Sequence, residues 1–254
     1  MNKTYDTTYL KKTTDFLLNL KATSFFMLDL ESGNLVLDLG CGNGSDVLEL
    51  ARLMPDVQVI GLDKDPELLE VARKNLASTT INNASFIEGD VYTLPFNENS
   101  INAIRVERVF QHLEQPEKAM EEIKRVLSIE GNLVIVETDW STLNLYSGDI
   151  EIENKVVAFL TGKFIKNGYA AKKIMNYFID FKYKKIQLQV ITITLNDFAA
   201  ASNLIRLNEV LSAMIDQNYL SLDEKEAWLK KLNYIADAKC FVVTLNMVLI
   251  SGKK

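Results

Sequence analysis

Three glycines stand where a strand meets a helix, in a pattern that could bind an anionic ligand. Gly40, Gly42 and Gly44 follow the apolar run 35–39, and a segment with helical periodicity begins at Ser45. Glycine admits positive φ and lets a ligand approach the backbone, and a helix N-terminus offers unpaired N–H groups. This turn therefore predicts a cradle for an anion.

Three aspartates are predicted to lie beside that turn. Asp38 lies in the strand before the first glycine, Asp63 ends the second predicted strand, and Asp90 ends the third. Because the carboxyl ends of parallel strands meet at one edge of a sheet, the three side chains should lie near one another. A single acid there would cap a turn as readily as it would bind a ligand, but three acids beside the glycines favour a ligand site.

The spacing of the glycines limits which classes of ligand the turn could bind. A dinucleotide site needs G-x-G-x-x-G, but Ser45 occupies the place of the third glycine, and Ser45-Asp46 lacks the Lys-Ser/Thr pair of a P-loop. An amino-acid carboxylate fits better than a pyrophosphate, with Asp38 near an ammonium, Asp63 on ribose hydroxyls and Asp90 on an adenine amine. S-adenosylmethionine combines these four groups.

The motifs resemble those of the class I S-adenosylmethionine-dependent methyltransferases. The residues concerned are 37–44, 61–63, 89–91 and 94–96. Within that family the chain is most similar to the small-molecule branch that includes the ubiquinone/menaquinone C-methyltransferases (methyltransferase type 11-like). The resemblance implies a Rossmann-like, doubly wound α/β fold with a mostly parallel seven-stranded sheet, an antiparallel C-terminal edge strand and a helical cap.

The resemblance also implies which residues bind the cofactor. They lie in the glycine turn, at the strand ends and after the fourth strand: Asp38, Gly40, Cys41, Gly42, Gly44, Asp63, Lys64, Leu68, Asp90, Val91, Glu107 and Arg108. The alternative for Glu107 and Arg108 is a mutual ion pair at the surface, which would contribute little energy.

His112 is the single histidine of the chain and follows the fourth strand. It is a candidate general base together with Glu107, because histidine titrates near neutral pH. The alternative is that His112 only packs near the next helix. With one histidine and no cysteine cluster, no metal site is predicted.

Candidate substrate contacts lie at two places. Asp139 and Trp140 follow the fifth strand, where Asp139 could orient a substrate and Trp140 could cover it. Trp140 could equally seal the core. Tyr9 belongs to an N-terminal segment that could close over the cofactor or only cover the edge of the sheet.

Length and composition indicate one globular domain, and the resemblance implies that it is a methyltransferase domain. The chain has 254 residues, a net charge of −6, 48% hydrophobic residues and two cysteines. We predict a single domain over 1–254, with a cap at 1–30, a cofactor-binding core at 31–140 and a helical insertion or lid at 197–238. The composition favours a cytoplasmic protein with no nucleic-acid partner and no membrane span; the sequence is silent on its oligomeric state.

Periodicity and turn residues predict alternating elements. The predicted strands are 35–39, 57–62, 84–88, 101–106, 132–137, 183–195 and 241–250. After a helical region within 1–30, the predicted helices are 45–54, 67–76, 117–127, 151–164, 170–178, 197–214 and 222–238.

The predicted activity is methyl transfer to a small, largely apolar molecule through an O, C or N acceptor. A nicotinamide-dependent oxidoreductase and a non-catalytic S-adenosylmethionine-binding module are the alternatives. The glycine spacing disfavours the first, and only turnover to S-adenosylhomocysteine separates the second.

Overall fold

The computed structural model of the protein describes residues 18–254. Within this range the chain forms two compact units. The first, here called the glycine-turn unit, consists of residues 18–137, 173–189 and 249–254. The second, here called the helical unit, consists of residues 138–172 and 190–248. Tyr9 and the rest of the predicted cap at 1–17 lie outside the described residues.

The order of elements follows the predicted alternation closely. The strands are β1 (Leu35–Leu39), β2 (Gln58–Asp63), β3 (Ala84–Glu88), β4 (Ile101–Glu107), β5 (Leu127–Asn144), β6 (Lys184–Leu195) and β7 (Val243–Lys253). The α-helices are α1 (Leu18–Phe26), α2 (Ser45–Leu53), α3 (Pro66–Ala77), α4 (Pro116–Val126), α5 (Ile150–Phe159), α6 (Ala170–Asp180), α7 (Phe198–Ile205), α8 (Leu207–Asp216) and α9 (Leu222–Asp237).

The described strands form one seven-stranded sheet of order β3-β2-β1-β4-β5-β7-β6. The pairs β1–β2, β1–β4, β2–β3 and β4–β5 are parallel, and the C-terminal strands are antiparallel. The terminal strand β7 lies between β5 and β6, so that β6 forms the outer edge. The order reverses direction at β1, and this is where doubly wound sheets bind ligands.

Local chemistry explains where helices α3 and α4 begin. Pro66 occupies the first turn of α3, and the Asp65 side chain caps that helix by accepting hydrogen bonds from the N–H groups of Glu67 at 2.9 Å and Leu68 at 3.2 Å. Pro116 likewise occupies the first turn of α4, where no side chain caps the helix. These local features fix the residue at which each helix begins.

Strand β5 is longer than the predicted 132–137. It begins at Leu127, which pairs with Ile101, and the register then shifts before Asn132 pairs with Ala103. A Cβ at Gly131 would lie 2.8 Å from the carbonyl oxygen of Asn102, so the irregularity needs glycine there. Such an irregularity leaves no periodic signal, so sequence periodicity detected only the regular middle of the strand.

The predicted helix 197–214 is two helices in the structure. Arg206 has φ of 54° and separates α7 from α8. Its guanidinium bonds the Glu209 carboxylate and lies 5.4 Å from the centroid of the Phe164 ring. A break of one residue hardly disturbs helical periodicity, and therefore the prediction missed it.

Candidate active site

The glycine turn connects β1 to α2 and has the geometry expected of a ligand cradle. Gly42 and Gly44 adopt φ of 54° and 77°, which glycine reaches without strain. A Cβ at Gly44 would come within 2.4 Å of the Phe86 ring, so the turn packs tightly on that side. At Gly42 a Cβ would meet no atom within 4 Å, so that this residue faces open space.

Asp63, at the end of β2, binds the glycine turn directly. Its Oδ2 accepts a hydrogen bond from the Gly42 N–H at 2.8 Å, and its Oδ1 accepts one from the Asp65 N–H at 3.0 Å. A carboxylate has about four lone-pair sites, so these two bonds leave capacity for further donors. The half-buried carboxylate can therefore hold the turn and still accept hydrogen bonds from two hydroxyl groups.

Asp38 is buried and bound to an arginine that the sequence analysis did not single out. Arg105 lies opposite Asp38 in the β1–β4 register, and its guanidinium donates to Asp38 Oδ1 at 3.1 Å and also to Glu107. Arg105 also pairs with Asp46 Oδ2 at 3.0 Å. The carboxylates of Asp38 and Glu107 are thus gathered around one cation at the carboxyl ends of β1 and β4.

Burial changes the protonation of two residues at this edge. It raises the pKa of Asp38 to about 6, although the charge of Arg105 opposes the rise. Burial, with the charges of Asp38 and Asp63, also raises the pKa of the Cys41 thiol above its usual value. Cys41 is therefore a neutral thiol that packs in the turn and is unsuited to act as a nucleophile.

The segment after β4 carries the remaining candidates for chemistry. Arg108 has φ of 53°, a conformation uncommon outside glycine, and its Nε lies 3.2 Å from Glu107 Oε1. His112 is exposed at the end of a short 3₁₀-helix, Phe110–His112. The fully buried Glu137 accepts a hydrogen bond from the Gln111 N–H at 3.0 Å and so anchors this helix.

Comparison with known proteins assigns the family. The methyltransferase domain family matches residues 30–182, more than half of the chain. The chain belongs to the methyltransferase domain family. The predicted resemblance to class I S-adenosylmethionine-dependent methyltransferases and the predicted Rossmann-like fold are confirmed.

Individual relatives and structures resemble this methyltransferase domain over different lengths. It is 31% identical over 221 residues to an uncharacterized 37.1 kDa protein in transposon TN4556 of Streptomyces fradiae, covering 87% of this chain and 64% of that protein. It is 32% identical over 148 residues to the demethylmenaquinone methyltransferase of Thermotoga maritima, covering 56% of this chain and 62% of that protein. The chain spans less than two thirds of the length of these relatives.

A solved structure supports the fold of this methyltransferase domain. Phosphoethanolamine N-methyltransferase 2 of Haemonchus contortus, in complex with S-adenosyl-L-methionine, superposes with a TM-score of 0.61 at 17% identity. The superposition covers 100% of this chain and 58% of that chain. At this level of identity the likeness concerns the fold alone.

Other predicted cofactor residues of the methyltransferase domain lie at the ends of β2 and β3. Lys64 is exposed directly after Asp63, and Leu68 is half-buried in the first turn of α3. Asp90 is exposed after β3, and its Oδ1 accepts a hydrogen bond from the Tyr92 N–H at 2.9 Å. Val91, which lies between Asp90 and Tyr92 in the sequence, is half-buried.

Two predicted substrate residues belong to the helical unit. Asp139 Oδ1 accepts hydrogen bonds from the Ser141 N–H at 3.2 Å and from its hydroxyl at 2.5 Å. Trp140 is buried in an apolar cluster of this unit that includes Phe159 and Trp228. The predicted alternative of a core role for Trp140 fits this environment, and its role toward substrate stays a prediction.

Sequence reasoning missed Arg105, Asp46 and Lys21 as parts of the site. A signal was present: Arg105 interrupts an apolar strand, and a buried arginine requires carboxylates. Its partners, however, come from separate segments, which periodicity does not connect.

Neither a metal-binding cluster nor a membrane-spanning helix is found within the described residues. Residues 18–254 contain no group of three or more His, Cys, Asp or Glu side chains placed to hold a metal ion. Of the helices in the same range, none combines the length and apolarity that crossing a bilayer requires.

Proposed function

We propose that this chain transfers a methyl group from S-adenosylmethionine to a small, largely apolar molecule and releases S-adenosylhomocysteine. Membership of the methyltransferase domain family supports the activity. The observation that carries the proposal is the hydrogen bond between Asp63 and Gly42, because it joins the acid proposed to bind the ribose to the glycine turn. A relative named demethylmenaquinone methyltransferase supports an apolar acceptor.

The residues present fit this cofactor. The open space at Gly42 allows an amino-acid carboxylate to approach the backbone of the turn. The N–H groups at the start of α2 would then bind that carboxylate. The carboxylates of Asp38 and Glu107 would hold the ammonium group. Asp63 has capacity left for the ribose hydroxyls, and Asp90, after β3, would bind the adenine amine.

Other predicted cofactor contacts complete the binding site in this proposal. Gly40 and Cys41 line the turn with their backbone, Lys64 and Leu68 border the ribose, and Val91 packs beside the adenine. Arg108 would lie near the methionine end together with Glu107.

The chain contributes alignment and exclusion of water rather than a covalent intermediate. The sulfonium of the cofactor supplies an activated methyl group with a good leaving group, so an in-line displacement needs mainly correct orientation. The segment after β4 would position the acceptor, and one side chain there would take its proton where the acceptor is a phenol or an enol.

His112 suits the role of that base better than Glu107. The Glu107 carboxylate is engaged by the guanidinium groups of Arg105 and Arg108, so its oxygens already have partners within the protein. His112 is exposed and lies on a helix that Glu137 anchors. Asp139, Trp140 and Tyr9 remain proposed substrate contacts.

Calorimetric titration tests the cofactor and a turnover assay tests the activity. We expect S-adenosylmethionine and S-adenosylhomocysteine to bind, and NADH not to bind. We expect formation of S-adenosylhomocysteine with at least one member of a panel of phenols, quinols and amines. Binding of NADH alone would contradict the cofactor. Binding without turnover across the panel would favour a non-catalytic module.

We also propose the cytoplasm as the compartment and a small molecule, not a nucleic acid, as the partner. Cys41 and Cys240 are both free thiols, as a reducing compartment allows. The net charge of −6 opposes broad contact with a polyanion.

A further inference from the structure

Arg105 makes an unusual set of contacts for a residue in the middle of a central strand. It is 1% exposed, and its guanidinium contacts Asp38, Asp46 and Glu107. Its Nε also donates to the hydroxyl of Ser24 in α1 at 2.9 Å. One side chain therefore links β1, β4, α2 and α1 beneath the glycine turn.

The surrounding charges extend this network. Lys21 of α1 is buried and lies 2.8 Å from Asp46 Oδ1 and 2.9 Å from Glu49 Oε2. Burial alone would raise the pKa of Asp46, but the charges of Arg105 and Lys21 outweigh it and hold that pKa below its usual value. Asp46 is thus an ionised carboxylate that Arg105 and Lys21 share.

Several carboxylates of the network share the same cations. Among the described side chains of the network, four carboxylates meet three cations: Asp38, Asp46, Glu49 and Glu107 against Lys21, Arg105 and Arg108. Asp38 and Glu107 share the Arg105 guanidinium with Asp46, and each carboxylate has about four lone-pair sites, so both keep acceptor capacity for one further cation. The ammonium group of a bound amino acid would supply it.

Arg105 itself is a fixed cation whose donors are directed at the protein. Burial opposes its charge, but Glu107, Asp46 and Asp38 outweigh burial and raise the pKa of the guanidinium above its usual value. The planar guanidinium has five N–H donors in fixed directions, so it can bind several carboxylates at once. The ammonium group of lysine is a point charge with freely rotating donors and would fix their positions less well. Arg105 therefore fits a role that acts through its carboxylate partners.

We propose that Arg105 is a positioning residue of the cofactor site, which holds Asp38 and Glu107 in the geometry that receives the ammonium group of the cofactor. This inference rests on the proposed function, because it takes the methionine part of S-adenosylmethionine as the ligand of these carboxylates. Arg105 does not touch the cofactor.

The affinities for two ligands distinguish a positioning role of Arg105 from a merely structural one. S-adenosylhomocysteine and 5′-methylthioadenosine share the adenosine and the thioether, but only the former carries the ammonium and the carboxylate. In R105K we expect the affinity for S-adenosylhomocysteine to fall about tenfold or more, as for loss of a charge-assisted contact. The affinity for 5′-methylthioadenosine should stay within about twofold of the wild type.

Two further variants keep the experiment decisive. Ser24→Ala removes the bond to Arg105 Nε together with the local bond from the Ser24 hydroxyl to the Lys21 carbonyl, and it keeps every charge. It should therefore lower the affinity for S-adenosylhomocysteine selectively but by a smaller factor than R105K, and it serves as the test even if R105K does not fold. Arg52→Lys changes an exposed arginine in the last turn of α2, and it should leave both affinities unchanged.

The outcomes distinguish this inference from the proposed function. If the wild-type protein binds neither ligand, the proposed function fails. If it binds both, and the folded Arg105 and Ser24 variants lose both affinities equally or lose neither, the positioning role is wrong. Thermal melting of each variant establishes which of them are folded.

Discussion

Asp63 Oδ2 accepts a hydrogen bond from the backbone N–H of Gly42 at a distance of 2.8 Å. The bond joins the end of β2 to the glycine turn after β1, and it fixes the spacing between two parts of the proposed cofactor site. A cradle organised before binding loses less conformational entropy when a ligand arrives.

Asp63→Ala should weaken cofactor binding and also lower stability. The N–H groups of Gly42 and Asp65 lose their acceptor, which costs about 1–3 kcal/mol of unfolding free energy. The affinity for S-adenosylhomocysteine should fall at least about tenfold, because the ribose hydroxyls lose a charged acceptor. Calorimetry and urea denaturation measure the two effects. Asp56→Ala, at an exposed acid of the same unit, serves as the control and should change neither.

Gly42→Ala should lower affinity, whereas Gly33→Ala should not. Both glycines have positive φ, 54° and 83°, and at both a Cβ would meet no atom within 4 Å. Because backbone strain at positive φ is then the main cost, each substitution should lower the unfolding free energy by a similar amount, about 1 kcal/mol. Only Gly42 faces the proposed ligand. Equal affinities of the two variants for S-adenosylhomocysteine would contradict the proposed position of the cofactor.

The affinity for the cofactor should rise with pH through about 6. Burial raises the pKa of Asp38 to about 6, with Arg105 opposing the rise and Asp46 and Glu107 adding to it. An ammonium group binds the ionised carboxylate, so below that pH the affinity should fall about tenfold per pH unit. Asp38→Asn should weaken binding and flatten the profile measured by calorimetry from pH 5 to 8. A profile of unchanged slope in the variant would exclude Asp38 as its source.

Asp38 should give the unfolding free energy a pH dependence opposite to that of the cofactor affinity: stability should fall as the pH rises. Between its usual pKa of 3.8 and the raised value of about 6, the folded protein binds more protons at Asp38 than the unfolded chain does. Its contribution to the unfolding free energy is therefore fully present below the usual pKa and is lost as the pH rises through about 6. Denaturation of the wild type and of Asp38→Asn across this range isolates the contribution.

His112→Ala should lower kcat and leave cofactor affinity unchanged. For a phenol or enol acceptor, loss of a general base costs about 10²-fold or more in rate. An acceptor that is already ionised at the assay pH should show no such loss and so provides an internal control. A kcat within about threefold of the wild type for both acceptor classes would mean that His112 is not the base.

The sequence by itself determined the succession of strands and helices in the first half of the chain and the nature of the ligand site. These features depend on short-range chemistry: alternation of apolar residues, Pro66 and Pro116 at helix starts, and glycines where the φ angle is positive. The same chemistry placed Asp38 and Asp63 at neighbouring strand ends. It could not place the break at Arg206, because one residue of left-handed backbone leaves the surrounding pattern intact.

Only the tertiary structure decided how the acids of the site are held. Arg105 contacts Ser24, which lies 81 positions away along the chain, and Asp38, which lies 67 positions away. Folding brings these segments together through the register of β1 with β4 and the packing of the helices, and no local pattern encodes those distances. The charge balance around Asp38, and therefore its protonation, follows from that assembly.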